Sequence, residues 1–251
     1  MIIAGLTGDI GHGKTTFADL LAAQSQSSQH IETWELVAEV AEPLKDALQA
    51  VPVGNDIGAI NEWLHALPEL VQLHTHATVS FENIMLSEER LQNEGELYTK
   101  LFEFLEQVRV DPALLTTPLT VTTKEAFRPL LQWVGGFMAH RVSGIWYAEI
   151  VRRIKRLNGT GAALVTIGGV RFPSDAEIVR NAGGVIIEII RPGLTQRDPN
   201  DLTERDRSLI TPDCRIMNDG TIAQLAACAE RVWHDLSVRE LRPEYRASHP
   251  A

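Results

Sequence analysis

The sequence predicts an α/β fold in which a five-stranded, mostly parallel sheet is flanked by helices on both faces, giving three layers. Five short apolar runs alternate with stretches of helical periodicity, and parallel strands need crossover connections that are usually helices. A glycine-rich segment separates the first apolar run from the first helical pattern. The predicted strands are residues 2–6, 34–40, 163–170, 185–190 and 214–217.

Helical segments connect these strands. Residues 14–24 follow the glycines with an apolar stripe, and Pro43 suits the first position of a second helix after the predicted strand 34–40. Residues 53–123 show helical periodicity without a convincing strand, which predicts a helical insertion. We expect this insertion to form either a substrate lid or a homodimer surface.

The ends of the predicted helices and loops are less clearly marked in the second half of the chain. Residues 124–157 predict a long helix or a helix pair, with candidate breaks at 135–136 and 143–144. Residues 192–210 are rich in Arg, Asp, Pro and Thr and lack an apolar stripe, so we expect a lid segment there. Residues 239–251 have little apolar content and are expected to be a loose end.

Charge and cysteine content limit the classes of partner and the compartment that the sequence predicts. The chain has 23 Lys and Arg residues against 33 Asp and Glu residues, and the net charge of -10 repels nucleic acid and anionic membranes. Cys214 and Cys228 are the only cysteines, which we expect to be buried apolar residues in a reducing compartment. The sequence shows neither a basic leader nor an apolar span, so we expect a cytoplasmic protein with small-molecule partners and no membrane or nucleic-acid partner.

The glycine-rich segment has the spacing of a phosphate-binding P-loop. Residues 8–15 read Gly-Asp-Ile-Gly-His-Gly-Lys-Thr, and such glycines let successive backbone N–H groups turn around phosphate oxygens at the start of a helix. Lys14 would reach the β and γ phosphates of ATP, and Thr15 would supply a hydroxyl ligand to Mg²⁺. The expected nucleotide-binding residues are Gly8, Asp9, Gly11, His12, Gly13, Lys14, Thr15 and Thr16.

Several further segments resemble the bacteriophage-type deoxynucleoside monophosphate kinases, a branch of the P-loop nucleoside monophosphate kinase group. Residues 37–45 are similar to that family's strand ending in an acidic-Pro-Leu-Lys turn, and residues 128–135 to its Arg-x-Leu-Leu-Gln-x-x-Gly helix. Residues 170–177, which read Val-Arg-Phe-Pro-Ser-Asp-Ala-Glu, and the Asn-Asp-Gly-Thr of residues 218–221 look like its later blocks. These blocks cover most of the chain outside the insertion, in the family's order.

The resemblance implies that residues 1–251 form a single P-loop kinase domain. Such an enzyme transfers the γ-phosphoryl group of ATP to a deoxynucleoside 5′-monophosphate, with Mg²⁺ as cofactor and small-molecule nucleotides as partners. The acceptor phosphate is already an anion at neutral pH, so catalysis reduces to alignment and charge neutralisation.

Site residues follow from the same resemblance. The catalytic candidates are Lys14, Arg141, Arg171 and Arg191. Further candidates for the transferring group are the lid residues Arg197, Arg205 and Arg207. The acceptor candidates are Glu42, Lys45, Arg128, Gln132, Trp133, Phe137 and Arg141. Asn218 is expected near the adenine of ATP.

Single residues also have plainer interpretations. His12 is more simply explained as a solvated spacer in the loop, and Trp133 is as readily an ordinary core residue. An arginine outside the similar blocks is as readily a surface ion pair. A bulky Phe137 near the acceptor would change which base fits.

The chain departs from the family at the third predicted strand. Gly169 stands two positions before Arg171, where relatives place an acidic residue, so the expected outer ligand of Mg²⁺ is missing. Asp9, Glu42 or Asp175 would have to compensate, or activity would be low. Two alternatives therefore stay open: a kinase for another small acceptor, such as a modified nucleotide or dephospho-coenzyme A, and a nucleotide-binding regulator with weak catalysis.

Overall fold

Parallel pairing of short strands organises the chain into an α/β fold, as the sequence predicts. The computed structural model describes residues 1–50, 56–157, 161–194 and 206–248. Its strands are β1 (Ile2–Thr7), β2 (Ser28–Glu32), β3 (Leu164–Gly168), β4 (Val185–Ile190), β5 (Cys214–Met217) and β6 (Glu244–Arg246). Within the described ranges these six strands form one sheet in the order β2-β3-β1-β4-β5-β6, and all neighbouring pairs are parallel.

Helices occupy most of the chain between the strands. The α-helices of the described residues are α1 (Lys14–Ala22), α2 (Thr33–Ala47), α3 (Ile57–Leu64), α4 (Leu67–Thr75), α5 (Glu88–Val110), α6 (Arg128–Arg141), α7 (Ile145–Leu157), α8 (Pro173–Asn181) and α9 (Ile222–Val238). Across the described residues, none of these helices combines the length and apolar character that a membrane crossing requires.

The chain divides into two compact units. The sheet unit comprises Met1–Thr33 and Ile150–Ala251, and it contains the sheet together with α1, α8 and α9. The helical unit comprises Trp34–Glu149, and it contains α3, α4, α5, α6 and nearly all of α2.

Strand β1 lies inside the sheet because it pairs with β3 on one side and with β4 on the other. Its apolar side chains share one buried core with residues of α1 and α9. Members of that core include Leu6, Phe17, Leu21, Ile187, Leu225 and Val232. Burying a large apolar side chain stabilises a fold by roughly 1.5–3 kcal/mol. Because the strands are parallel, their carboxyl ends meet at one edge, where ligands of such sheets bind.

The predicted strand at residues 34–40 is wrong, because these residues belong to α2. The buried positions of α2 include Leu36, Val37, Val40 and Leu44, which recur every three to four residues as one face of a helix does. The strand is instead the polar segment β2 just before it. Among the described strands, β2 pairs with β3 alone and lies at the sheet edge, so apolar character does not mark it.

Pro43 lies inside α2 rather than at the start of a helix, so that prediction is also wrong. Proline has no backbone N–H and cannot donate to the carbonyl of Glu39, four residues earlier. Burial of the apolar face of α2 outweighs this loss. Glu42 and Lys45, expected just beyond a strand end, therefore lie within a helix.

The C-terminal segment is not a loose end over its described part, because β6 adds a sixth strand beside β5. Tyr245 of β6 is buried, and its hydroxyl donates to the Asp235 carboxylate at 2.7 Å. The same hydroxyl accepts the backbone N–H of Arg242 at 3.0 Å. A buried tyrosine that satisfies its polar end in this way anchors a short strand that has little apolar sequence of its own.

The helix pair at residues 124–157 breaks at one of the two predicted places. Gly144 has a φ of 71° and separates α6 from α7, whereas the glycines at 135–136 continue α6. Over residues 56–123, the described chain forms α3, α4, α5 and short 3-10 turns, with no strand. A role for this region as a lid or homodimer surface stays a prediction.

Asp175 caps the start of α8 from a buried position. Its Oδ2 accepts the backbone N–H groups of Phe172 at 3.0 Å and of Arg171 at 3.4 Å. Burial raises the pKa of Asp175 to about 7, against the opposing effect of these hydrogen bonds and of the Arg171 charge. The folded state therefore keeps a proton that the unfolded chain releases above about pH 4. The resulting stabilisation is complete at lower pH and is lost as the pH rises through about 7.

Replacing Asp175 with Asn should remove this pH dependence, because an amide does not titrate. Relative to Asp175→Asn, the free energy of unfolding of the wild type should fall by a few kcal/mol, in order of magnitude, between about pH 4 and about pH 7.5. Urea unfolding at a series of pH values measures the difference. Asp19→Asn, on an exposed position of α1, is the control. Parallel stability curves for the wild type and Asp175→Asn would contradict the prediction.

Candidate functional site

The loop of residues 8–13 joins β1 to α1 at the carboxyl edge of the sheet. Gly8, Gly11 and Gly13 have positive φ values of 138°, 84° and 94°, a region that other residues rarely adopt. At Gly8 the constraint is also steric, since a Cβ there would lie 2.3 Å from the carbonyl oxygen of Ile189. The loop can therefore pass this close to β4 only with glycine at its first position.

Asn218, directly after β5, supports the same loop. Its Nδ2 donates to the carbonyl of His12 at 3.0 Å, and its backbone N–H donates to the carbonyl of Ile190 at 2.7 Å. A Cβ on Gly13 would lie 2.7 Å from that Nδ2. Asn218 thus helps to shape the loop, a role that the sequence did not predict, while its contact with adenine stays a prediction.

Lys14 is the first residue of α1, and its side chain folds back over the loop. Its Nζ donates to the carbonyl oxygens of Gly8 at 2.7 Å and Asp9 at 2.8 Å. The first backbone N–H groups of an α-helix lack partners within the helix and carry a partial positive charge. A lysine ammonium and a helix N-terminus therefore meet at this loop, which is the arrangement that binds a phosphate.

A cleft of about 440 Å³ opens beside the loop within the sheet unit. The polar residues along it include Lys14, Thr15, Thr16, Arg191 and Asn218. Ile222 and Leu225 add apolar surface. The volume lies in the range of small-molecule sites, which is roughly 300–1,000 Å³. Cations and hydroxyls suit a polyphosphate, and apolar side chains suit an aromatic base.

His12 is a buried part of the loop, so the solvated-spacer interpretation is wrong. The residue is only 6% exposed, and its Nδ1 lies 3.2 Å from the carbonyl oxygen of Ile189. Because a carbonyl can only accept, Nδ1 carries the hydrogen and donates. Burial lowers the pKa of His12, which keeps the ring neutral at neutral pH. The hydrogen bond from His12 therefore holds the loop against β4, next to the close approach of Gly8 to the same carbonyl.

Asp9 and Arg207 form an ion pair, and Arg207 also lies 3.7 Å from Glu188. Arg207 thus comes from the predicted lid segment and contacts the loop of residues 8–13. The other two lid arginines, Arg197 and Arg205, lie outside the described residues. Since the Asp9 carboxylate is engaged by a guanidinium, it is a poor substitute for the missing metal ligand.

Arg171 and Arg191 follow β3 and β4, the two strands that flank β1. Arg191 comes directly after β4 and lines the cleft. Arg171 lies between β3 and α8, where its backbone N–H donates to Asp175. Both arginines belong to the sheet unit, as Lys14 does. This unit therefore contains three of the four catalytic candidates. Their roles in phosphoryl transfer stay predictions.

A carboxylate that the sequence did not single out lies beside the loop. Glu32 ends β2, and its Oε1 accepts the hydroxyl of Thr15 at 3.3 Å. The same oxygen lies 2.8 Å from Nε2 of His30, whose Nδ1 lies 2.7 Å from the hydroxyl of Thr166. The sequence missed Glu32 because the second strand was expected several residues later. Its position beside Ile31, at the end of a short, mostly polar run just before a helical apolar pattern, was the available signal.

Arg141, the fourth catalytic candidate, lies in the helical unit and is paired with Glu94. Its Nη1 donates to Glu94 Oε1 at 3.2 Å, and its guanidinium carbon lies 4.8 Å from the centre of the Phe137 ring. The hydrogen bonds raise the pKa of Arg141 and hold that of Glu94 below its usual range. Within the described structure, the buried Nε of Arg141 has no hydrogen-bond partner.

Lys45 and Glu42 are joined within the helical unit. The side chain of Lys45 is 1% exposed, and its Nζ lies 3.1 Å from Glu42 and 3.4 Å from Asp46. It also donates to the carbonyl of Thr117 at 2.7 Å. The Lys45 ammonium is buried, whereas its carboxylate partners Glu42 and Asp46 are 33% and 54% exposed, so losing them would leave a buried charge with fewer partners. These contacts give both residues a structural role, while their contact with an acceptor stays a prediction.

The remaining acceptor candidates all lie on α6. Trp133 and Phe137 are buried, with ring centroids 5.3 Å apart, which agrees with the core interpretation of Trp133. Trp133 Nε1 is nevertheless buried without a hydrogen-bond partner among the described residues. Gln132 is half-buried beside it, and Arg128 pairs with Glu125 at the start of the helix. The structure thus groups these four with Arg141 on one helix.

Comparison with known proteins adds a distant relative. No family model matches the chain. A protein of Acanthamoeba polyphaga mimivirus, named "Putative deoxynucleotide monophosphate kinase", is 28% identical over 90 residues. The similarity covers 34% of this chain and 44% of the relative, so the chain matches less than half of that protein's length.

Gly8→Ala should destabilise the protein, because its Cβ would collide with a backbone carbonyl at a strained φ. We expect a loss of about 2 kcal/mol or more in the free energy of unfolding, measured by urea or thermal unfolding. Gly136→Ala is the matched control, since its Cβ meets nothing within 4 Å inside α6. That variant should be neutral or more stable by up to about 1 kcal/mol. Equal stability of Gly8→Ala and the wild type would contradict the close approach.

Proposed function

We propose that this protein is a nucleotide kinase that transfers the γ-phosphoryl group of ATP to a deoxynucleoside 5′-monophosphate. The observation that carries the proposal is the loop before α1. Its glycines have the φ values of a phosphate cradle, and Lys14 lies across its carbonyl oxygens at 2.7 and 2.8 Å. The partial similarity to the mimivirus protein supports the nucleotide kinase class.

ATP would bind in the sheet unit. The backbone N–H groups of the loop would hold the phosphates, and the ammonium of Lys14 would move from the loop carbonyls to the β and γ phosphates. Arg191 lines the same cleft and would add positive charge, while Asn218 and Ile222 offer polar and apolar contacts to the base. Mg²⁺, when bound, supplies neutralisation of the negative charge on the terminal phosphates.

The acceptor would bind in the helical unit. A nucleoside monophosphate needs no strong general base, since its phosphate is already ionised, but it needs cations to align it. Arg141 is suited to this task because Glu94 and Phe137 hold its guanidinium in one orientation. The unsatisfied Nε of Arg141 and Nε1 of Trp133, each without a partner in the described chain, offer two further donors.

The alternatives differ in measurable ways. An ADP-release assay should be run over deoxynucleoside and ribonucleoside monophosphates, with dephospho-coenzyme A as a different small acceptor. Turnover with a deoxynucleoside monophosphate supports the proposal. Turnover with dephospho-coenzyme A alone would instead identify the kinase of another acceptor. Tight ATP binding without transfer to any compound would identify a regulator.

Lys14→Ala should lower the rate of phosphoryl transfer about 10²–10³-fold, because it removes a cation that neutralises charge in the transition state. The ADP-release assay measures this rate with the accepted monophosphate. Lys155→Ala, at an exposed position of α7 in the same unit, is the control and should keep the wild-type rate. Robust turnover by Lys14→Ala would rule out the loop as the donor site.

Arg141→Lys should raise the KM for the monophosphate about tenfold or more and leave the KM for ATP nearly unchanged. Lysine keeps the charge but loses the planar fork that binds a phosphate with two hydrogen bonds. The control is Arg109→Lys, which alters an exposed arginine paired with Glu106 on α5. If the KM for the monophosphate does not change, Arg141 is not an acceptor ligand.

A further inference from the structure

Glycine at the carboxyl end of β3 leaves its side-chain space to a neighbouring carboxylate. A Cβ on Gly168 would lie 2.3 Å from Oε2 of Glu32 and 2.6 Å from its Cδ. Real Cβ atoms do not approach other atoms this closely, so no larger residue fits at Gly168 while Glu32 keeps this position. The carboxylate of β2 therefore lies where a side chain of β3 would otherwise be.

The next position disfavours any side chain for a different reason. Gly169 has a φ of 77°, a conformation that costs a side chain of the L series about 1 kcal/mol or more. Its neighbour is Thr33, whose hydroxyl donates to the carbonyl of Gly168 at 2.6 Å. Glycine at these two positions is thus compatible with the local packing, and the Glu32 carboxylate lies beside them.

Glu32 is also placed against the phosphate-binding loop. Its Oε1 accepts the hydroxyl of Thr15, the loop residue predicted to bind Mg²⁺, at 3.3 Å. His30, two residues earlier on the same face of β2, contacts that oxygen at 2.8 Å and is itself held by Thr166. A hydroxyl and an oriented carboxylate therefore stand side by side next to the loop.

This donor set fits the chemistry of Mg²⁺. The ion prefers oxygen ligands, and in nucleotide enzymes it uses one or two carboxylates together with substrate phosphates and retained waters. The other acidic candidates are engaged elsewhere, since Asp9 pairs with Arg207 and Asp175 caps α8. Glu42 belongs to the helical unit, where it pairs with Lys45.

We propose that Glu32 is the acidic residue that binds Mg²⁺ with Thr15, taking over from strand β2 the task that relatives give to an acidic residue on β3. The inference rests on the proposed binding of ATP at the loop. It assigns to His30 the role of a positioning residue, which keeps the Glu32 carboxylate turned toward Thr15. It also explains why residues 168–169 can be glycine in a functional kinase.

The test compares nucleotide binding with and without metal, so it does not depend on turnover. The dissociation constant of a non-hydrolysable ATP analogue is measured by calorimetry in EDTA and in saturating Mg²⁺, and the ratio of the two values reports the coupling between metal and nucleotide. For Glu32→Gln, this ratio should fall about tenfold or more relative to the wild type. Binding in EDTA should be retained, because the loop itself is unchanged.

Matched variants make the result specific. Glu177→Gln removes the same charge from an exposed position of α8 in the same unit and should keep the wild-type ratio. His30→Asn should lower the ratio by less than Glu32→Gln does, again with binding in EDTA retained. A purely structural role of His30 would weaken binding equally in both conditions.

The outcomes separate the two proposals. A wild-type ratio in Glu32→Gln overturns the role of Glu32 while nucleotide binding stands. Loss of binding in EDTA as well as in Mg²⁺ for Glu32→Gln also overturns it, because the carboxylate would then be structural. Failure of the wild type to bind the analogue in either condition overturns the proposed function itself.

Discussion

The parallel pairing of β1 with β3 and β4 is the constraint on which the site depends. It brings the carboxyl ends of these strands to one edge, so that the loop after β1 passes within contact of Ile189 on β4. The same edge places Asn218, which follows β5, against the loop carbonyls. Glycine at Gly8 and Gly13 is required because the loop is pressed between these neighbours. The phosphate cradle is therefore a product of the sheet as well as of its own sequence.

Hydrogen bonds and ion pairs fix the orientation of the polar side chains at this edge of the sheet. Lys14 is held by two loop carbonyls, and neutral His12 donates to the carbonyl of Ile189. Arg207 is held by Asp9. Such contacts fix the orientation of cations beside the loop, and under the proposed function this preorganised charge would stabilise the transition state of phosphoryl transfer. In the helical unit, the pair of Arg141 and Glu94 fixes a guanidinium in the same way.

The parts of the fold that depend on buried apolar residues could be predicted from the sequence. The strands at Val185–Ile190 and Cys214–Met217 were predicted at their observed bounds, and the glycine loop was placed correctly before α1. Edge strands could not be predicted in this way, because β2 is polar and β6 is held mainly by Tyr245. Because the second strand was predicted in the wrong place, Glu32 was not recognised as a residue at the end of a strand. The pairing of Asp9 with Arg207 and of Arg141 with Glu94 likewise depends on tertiary contacts that spacing does not report.

The role proposed for Glu32 has a consequence for how such chains are recognised. An acidic side chain can serve one point in space from either of two adjacent strands, provided that the other strand yields room by carrying glycine, as Gly168 does. Glu32 and Gly168 are more than 130 residues apart in this chain, yet they are paired neighbours on adjacent strands. A sequence signature that requires the acid on the third strand would discard every protein that has made this exchange. Searches based on the spatial pair, a strand-end acid beside a strand-end glycine, would retain them.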